Sequence, residues 1–189
     1  MYKLLKQIVR TGIATEAPPG PDAALRAVSQ RLKAHMLATL GRALTIRHVD
    51  AGSCNGCELE IHALNNPYYN LEALGIRFVA SPRHADLLLV TGPVSRHMRE
   101  ALLRTYEATP EPRLVVAVGD CACSGGVFGE SYASCGRVAN VLPVDVEIAG
   151  CPPEPVELLR GILRAVQRGR NPSTTIPAHA TAPLPTPPA

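Results

Sequence analysis

The chain lacks the features that would place it in several broad classes. It has no tryptophan, five tyrosines and two phenylalanines, and these rings do not interleave with the basic residues as a nucleic-acid platform requires. Its 19 Lys and Arg against 16 Asp and Glu leave it only mildly basic, far from the concentrated positive footprint that phosphate backbones select. Nucleic acid is excluded as a partner on both counts. No apolar run approaches the roughly 20 residues needed to cross a bilayer, so any membrane association is expected to come through a partner. Six cysteines in 189 residues are too sparse for a disulfide-stapled secreted scaffold, and no signal-peptide apolar core is found. Reduced thiols in a cytosolic compartment are the expectation, and metal binding is the first use to consider for them.

What is present fits one α/β domain, since 189 residues with 46% hydrophobic content supply one ordinary core. Residues 1–41 read as a helical arm and linker. Leu4, Leu5, Ile8 and Val9 share a helical face ringed by Lys3, Lys6 and Arg10 within 1–14, an amphipathic segment suited to a protein partner. The prolines of EAPPGPD then exclude regular structure, and Leu25, Val28, Leu32, Met36 and Leu40 recur at helical spacing over 22–40. The core domain spans 42–170. Strands are expected at 43–50, 75–80, 85–92, 113–119 and 144–149, with ADLLLVTG carrying the continuous apolar run of a parallel strand covered on both faces. Helices are expected at 58–65, with Leu59, Ile61 and Leu64 turned partly inward, at 95–106 with Ser95 as N-cap, and at 154–168. Strands separated by helices imply a doubly wound parallel sheet. Residues 171–189, rich in Pro, Ala and Thr, have too little to bury and are expected to be disordered.

The chain is organised around GSCNGCELE, where Cys54 and Cys57 sit in a Gly-punctuated loop opening into a helix. A lone CxxC also serves zinc ribbons and redox loops. Cys121, in GDCACSGG, and Cys151, in AGCPPEP, each follow a buried strand as well. Sites in open α/β sheets form outside the carboxyl ends of the strands, where successive loops meet, so Cys54, Cys57, Cys121 and Cys151 can reach one crevice. Four thiolates suit a tetrahedral zinc or a [4Fe-4S] cluster. The surrounding glycines, which let backbone amides approach bulky sulfide acceptors, and Pro152 after Cys151 favour the cluster. A zinc module and a thiol–disulfide protein using Cys54 and Cys57 stay open as alternatives. Cys123, two residues from Cys121, could replace it as fourth ligand, and Cys135 could be a buried structural thiol; both read more simply as small apolar fillers, and Cys121 lies nearer the strand end than Cys123. His48, His62, His84 and His97 do not pair with the cysteines at ligand spacing and read as surface or packing residues.

In order, GSCNGCELEI, ADLLLVTGPVS, VAVGDCACSGG and LPVDVEIAGCPPEP resemble the small-subunit family shared by [NiFe] hydrogenases and the 20 kDa subunit of respiratory complex I, over about residues 43–168. The resemblance implies a flavodoxin-like fold and one [4Fe-4S] cluster on Cys54, Cys57, Cys121 and Cys151. The complex I branch has adjacent cysteines where this chain has CxxC, so the chain is most similar to small subunits of membrane-bound, energy-converting group 4 [NiFe] hydrogenases of the formate hydrogenlyase type, with a 20 kDa complex I-type subunit as the alternative. KLLKQIVRTGIATE is similar to the start of such subunits. Uptake hydrogenases carry a long extension with further clusters, in place of which this chain has its Pro-rich tail. The implied role is electron relay between a metal-bearing large subunit, of the complex I 49 kDa kind, and a ferredoxin-like subunit. Its implied place is the cytoplasmic face of the inner membrane, attached to the membrane arm only through partners. By the same resemblance Glu58 is a proton-transfer candidate; a first-turn carboxylate stabilised by its helix is the structural alternative.

Overall fold

The computed structural model describes residues 2–12 and 22–169, the side chains of 35–40 excepted. The linker and the tail expected at 171–189 lie outside them. Helix α1 covers Tyr2–Thr11 and α2 Ala23–Leu40, the latter started by Asp22, whose carboxylate accepts from the Ala24 amide. Five parallel strands follow: β1 (Leu44–Asp50), β2 (Ile76–Phe78), β3 (Leu87–Thr91), β4 (Leu114–Val118) and β5 (Val146–Ile148). Between and after them run α3 (Gly56–Ala63), α4 (Arg96–Ala108), α5 (Asp120–Ser124) and α6 (Pro155–Arg168). The spatial order is β2-β1-β3-β4-β5, the doubly wound order of flavodoxin-like folds, whose crevice opens where the winding reverses, between β1 and β3.

Strand alternation builds the two cores. Leu44, Ile46, Leu87, Leu89, Val116 and Ile148 pack on one face with Leu25 and Leu32 of α2, Ile61 of α3 and Leu158, Leu159 and Ile162 of α6. Val49, Leu88, Val90, Val115 and Ala117 face the other way, onto Leu102 of α4, Ala122 of α5 and the Val138–Leu142 segment. β3 is buried at every position, as a strand covered on both faces must be. At the far edge, Gly161 of α6 lies against Ile148 so closely that a Cβ there would overlap the isoleucine side chain.

Ser95 caps α4 as expected, its hydroxyl accepting from the Met98 amide at 3.3 Å. Two local expectations change. Leu59 is not turned inward but stands 62% exposed, because α3 buries only the face carrying Glu58 and Ile61. The GDCACSGG loop contains the short helix α5, whose five residues between two glycines are too few to show a period. No helix among the described residues is long and apolar enough to cross a membrane, and none of the residues of α1 is buried.

Candidate metal centre

Three chain segments leave the same, carboxyl edge of the sheet, from β1 and, beyond β3, from β4 and β5, and loop aspartates hold each of them. After β1, the Asp50 carboxylate accepts from the amides of Gly52 and Ser53 at 2.8 Å each, an Asx turn that reverses the chain. Asn55 then takes a positive φ of 71° and starts α3, so Cys57 falls in its first turn. The segments after β4 and β5 are fastened together: the Asp120 amide donates to Gly150 O at 2.9 Å, and the Gly150 amide donates back to Asp120 Oδ1 at 2.8 Å. Cys121 and Cys151 each follow directly on a member of this clip. Its sequence trace is only an aspartate after a strand-ending glycine, and the sequence alone does not pair it with Gly150.

Cys54, Cys57, Cys121 and Cys151 meet in the crevice these segments enclose. Burial raises the Cys57 thiol to about 12, and the charges of Glu58, Cys54, Cys121 and Cys151 push in the same direction. Cys121 is raised as well, first by burial and then by Cys151, Cys54 and Asp120. The neighbouring thiolates therefore oppose ionisation of Cys57 and Cys121, and a bound cation would offset that opposition. Cys54 and Cys151 are exposed, while Cys57 and Cys121 are half-buried.

Cys123 does not join them. Residues two apart on a helix face nearly opposite directions, so when Cys121 faces the crevice Cys123 faces the sheet, its Sγ reaching Ala117 O and Ile148 O at 3.7 and 3.6 Å. Burial and the charge of Glu147 raise it to about 11. Cys135 is buried in the core under α4 and α5. The fillers expected from the sequence occupy filler positions.

Glycines make the space. At Gly119, with φ 87°, a Cβ would stand 2.6 Å from Cys57 Sγ, and at Gly126, with φ 55°, 2.7 Å from Cys121 Sγ. Side chains there would fill the cradle the thiols line. Among the described residues, no three His, Cys, Asp or Glu side chains are gathered closely enough to hold a single metal ion. Four thiols that interact through their charges around a glycine-cleared space offer the all-thiolate ligand set that a [4Fe-4S] cluster takes.

Beside Cys57, Glu58 lies in the first turn of α3, as the structural alternative has it, and is only 8% exposed. Its Oε1 accepts from the Thr91 hydroxyl at the end of β3, and His48 Nε2 of β1 lies 2.9 Å from that hydroxyl and 3.6 Å from Oε1. Burial holds the His48 pKa below its ordinary value against the upward pull of Glu58. Oε2 of Glu58 is buried without a hydrogen-bond partner. Thr91 was not legible as part of the site because it ends an otherwise apolar strand. His62, His84 and His97 are exposed.

Residues 54–165 match the family described as the NADH ubiquinone oxidoreductase 20 Kd subunit. The chain is 44% identical over 135 residues to the probable membrane-bound hydrogenase subunit mbhJ of Pyrococcus furiosus, covering 71% of this chain and 81% of that one. It is also 44% identical over 135 residues to formate hydrogenlyase subunit 7 of Escherichia coli, of whose length it spans 53%. To an NADH-quinone oxidoreductase subunit of Desulfovibrio desulfuricans it is 46% identical over 129 residues, 68% of this chain and 69% of that one. Among solved structures, it resembles a chain of the membrane-bound sulfane sulfur reductase, an archaeal respiratory membrane complex, with a TM-score of 0.62 and 32% identity over 75% of this chain and 77% of the other.

Proposed function

Since the chain belongs to the NADH ubiquinone oxidoreductase 20 Kd subunit family, whose members compared above are subunits of oxidoreductase complexes, we propose that it is the electron-transfer subunit of a membrane-bound hydrogenase of the formate hydrogenlyase type. It would hold one [4Fe-4S] cluster on Cys54, Cys57, Cys121 and Cys151. The observation that carries this reading is the convergence of those four thiols, and of no other cysteine, around the cradle that Gly119 and Gly126 keep open. Such a cluster supplies one-electron transfer, here between the metal site of a large partner subunit and the clusters of a ferredoxin-like subunit. The branch rests on the spacing of Cys54 and Cys57, because identity is similar toward the hydrogenase and quinone-reductase relatives.

The protein's own residues set the conditions for that transfer. Asp50, Asp120 and Gly150 fix the three loops, so the ligands need little rearrangement when the cluster changes charge. Burial of Cys57 and the neighbouring carboxylate of Glu58 lower the potential, since both disfavour added negative charge. Glu58, with one oxygen held by Thr91 and the other free, is the residue assigned to moving a proton at the edge of the site. The exposed thiols Cys54 and Cys151, with exposed Leu59, Val127 and Phe128 following the cysteine segments, suit burial beneath the large subunit, with attachment to the membrane through partners.

Anaerobic purification tests the assignment. We expect broad visible absorption bleached by dithionite and about four irons per chain. Cys54→Ser, Cys57→Ser, Cys121→Ser and Cys151→Ser should each lose it, and Cys135→Ser should retain it. A colourless protein with one zinc, or iron content unchanged in Cys121→Ser, overturns the ligand set. Hydrogen exchange tests the interface separately: assembly should protect the three cysteine loops and α1, and equal exchange in the free and assembled chain would place the partner elsewhere.

A further inference from the structure

The opposite end of the sheet carries a second built site. A cavity of about 710 Å³ opens at the amino ends of β1, β3 and β4, a volume ordinary for a small-molecule site. Val79, Leu114 and Val166 supply its apolar lining, and Arg42, Arg77 and Arg83 its charge. What distinguishes it from a merely charged surface is the disposition of its acids. Asp86 is already engaged: Oδ2 accepts from the Thr45 amide at 3.0 Å and lies 2.8 Å from the Thr45 hydroxyl, which it shares with His84 O, and Arg42 closes on both of its oxygens at 3.2 and 2.5 Å. Glu111 is paired with Arg113 at 3.1 Å. Two cations are left over. Arg77 and Arg83 have no hydrogen-bond or ion-pair partner among the described residues, and His84 stands next to Arg83 on the same wall.

We propose that this cavity binds an organic phosphate monoester with an apolar body, its phosphate gripped by Arg77 and Arg83 and its body laid on Val79, Leu114 and Val166. A phosphate monoester carries a charge of about −1.5 to −2 at neutral pH, which matches the two unspent guanidinium groups, and a guanidinium fork meets phosphate oxygens in pairs. The Asp86 carboxylate, already held by the Thr45 amide and both Arg42 nitrogens, neutralises Arg42 and leaves the cavity's net charge to the other two arginines. The apolar lining explains the second half of the assignment: an inorganic anion would leave it wet, whereas a hydrocarbon body removes it from water. The site lies across the sheet from the cysteines, so its occupancy does not depend on the cluster assignment. The ligand's source is either a soluble phosphate monoester or the headgroup of a monoacyl or diacyl phosphatidic acid.

Titration calorimetry on the full-length, iron-loaded chain tests this with inorganic phosphate, hexyl phosphate and phosphatidic acid vesicles as probes. Hexyl phosphate should bind about tenfold or more tightly than inorganic phosphate, from burial of its chain. Arg77→Ala/Arg83→Ala should weaken it about tenfold or more. Both arginines are exposed and unpaired, so this variant should keep its melting temperature and iron content, and Arg104→Ala on α4 serves as the charge control. Binding to vesicles alone, again lost in the double variant, assigns the lipid source. The proposal is overturned by absence of binding to every probe, by equal affinity for inorganic and hexyl phosphate, or by binding that survives the double variant. Binding that emerges only after residues 172–189 are removed also overturns it, in favour of the chain's own tail as occupant.

Discussion

The two ends of the parallel sheet are made by opposite means. At the carboxyl end, glycines and backbone bonds build a cradle for four thiols whose charges oppose one another. At the amino end, a carboxylate gathers donors from Thr45 and Arg42, and side-chain charges do the organising. The first end spends stability on an open shape, one the proposed cluster would fill. The second uses its polar groups to tie β1 to β3. The contrast teaches where a substitution will be felt: at one end through space and backbone conformation, at the other through unsatisfied polar groups.

The sharpest break of the comparison is Gly119→Ala. It forces a side chain into φ 87° and puts a methyl 2.6 Å from Cys57 Sγ. We expect loss of most bound iron and destabilisation of about 2–4 kcal/mol, read from iron content and urea unfolding. Retained iron with a native melting curve would show that the cradle tolerates a side chain. Next in size is Asp86→Ala, which strands the amide of Thr45, itself 5% exposed, and the Arg42 guanidinium, while the Thr45 hydroxyl keeps His84 O. About 2–3 kcal/mol of stability should go while iron per folded chain stays the same; iron loss in step with stability would mean that the two ends are not independent. Asp120→Ala removes the Gly150 amide's acceptor and should cost about 1 kcal/mol, yet speed iron release to a chelator, because it unfastens Cys121 from Cys151.

Titration separates the ends more gently. Burial raises Cys57 to about 12 and Cys123 to about 11, against 9.0 for an ordinary thiol. Their contribution to the metal-free protein is therefore complete below pH 9 and lost as pH rises from there toward 12, because the unfolded chain ionises its thiols first. With iron bound, the Cys57 part of that decline should vanish, since its proton has already left, and the Cys123 part should remain. Urea midpoints across pH 8–11, with and without iron, check this. Smallest of all, deletion of 172–189 should shift stability by no more than about 0.5 kcal/mol; a larger drop in melting temperature would show that the segment packs.

Much of the fold was legible because β3 and its neighbours read as apolar runs and α6 repeats its leucines at helical spacing, which burial on two faces and on one demands. The crevice was legible from position alone, as Cys54, Cys121 and Cys151 each follow a strand. What was not legible depended on partners distant in the chain. The Asp120–Gly150 clip joins two loops 30 residues apart, and Thr91 meets Glu58 across 33. α5 was hidden by its brevity, and Leu59 was misplaced because apolar character does not tell which side of a short helix faces the core. The choice of Cys121 over Cys123 rested on distance from the strand; the helical turn between them supplies the physical reason for their different directions.

The contact between Gly161 and Ile148 gives the back of the sheet a hold on its front. α6 lies on β5 with only the Ile148 side chain between the Gly161 backbone and the strand, and Cys151 follows Ile148 by three residues, so any thickening of that contact must be relieved by sliding the edge strand or lifting the helix. Either movement is passed along a short, stiff lever to a single corner of the thiol ring. If Cys151 holds the proposed cluster, a lineage could thus retune one iron–sulfur bond, and with it the midpoint potential, through substitutions in a helix remote from the thiols.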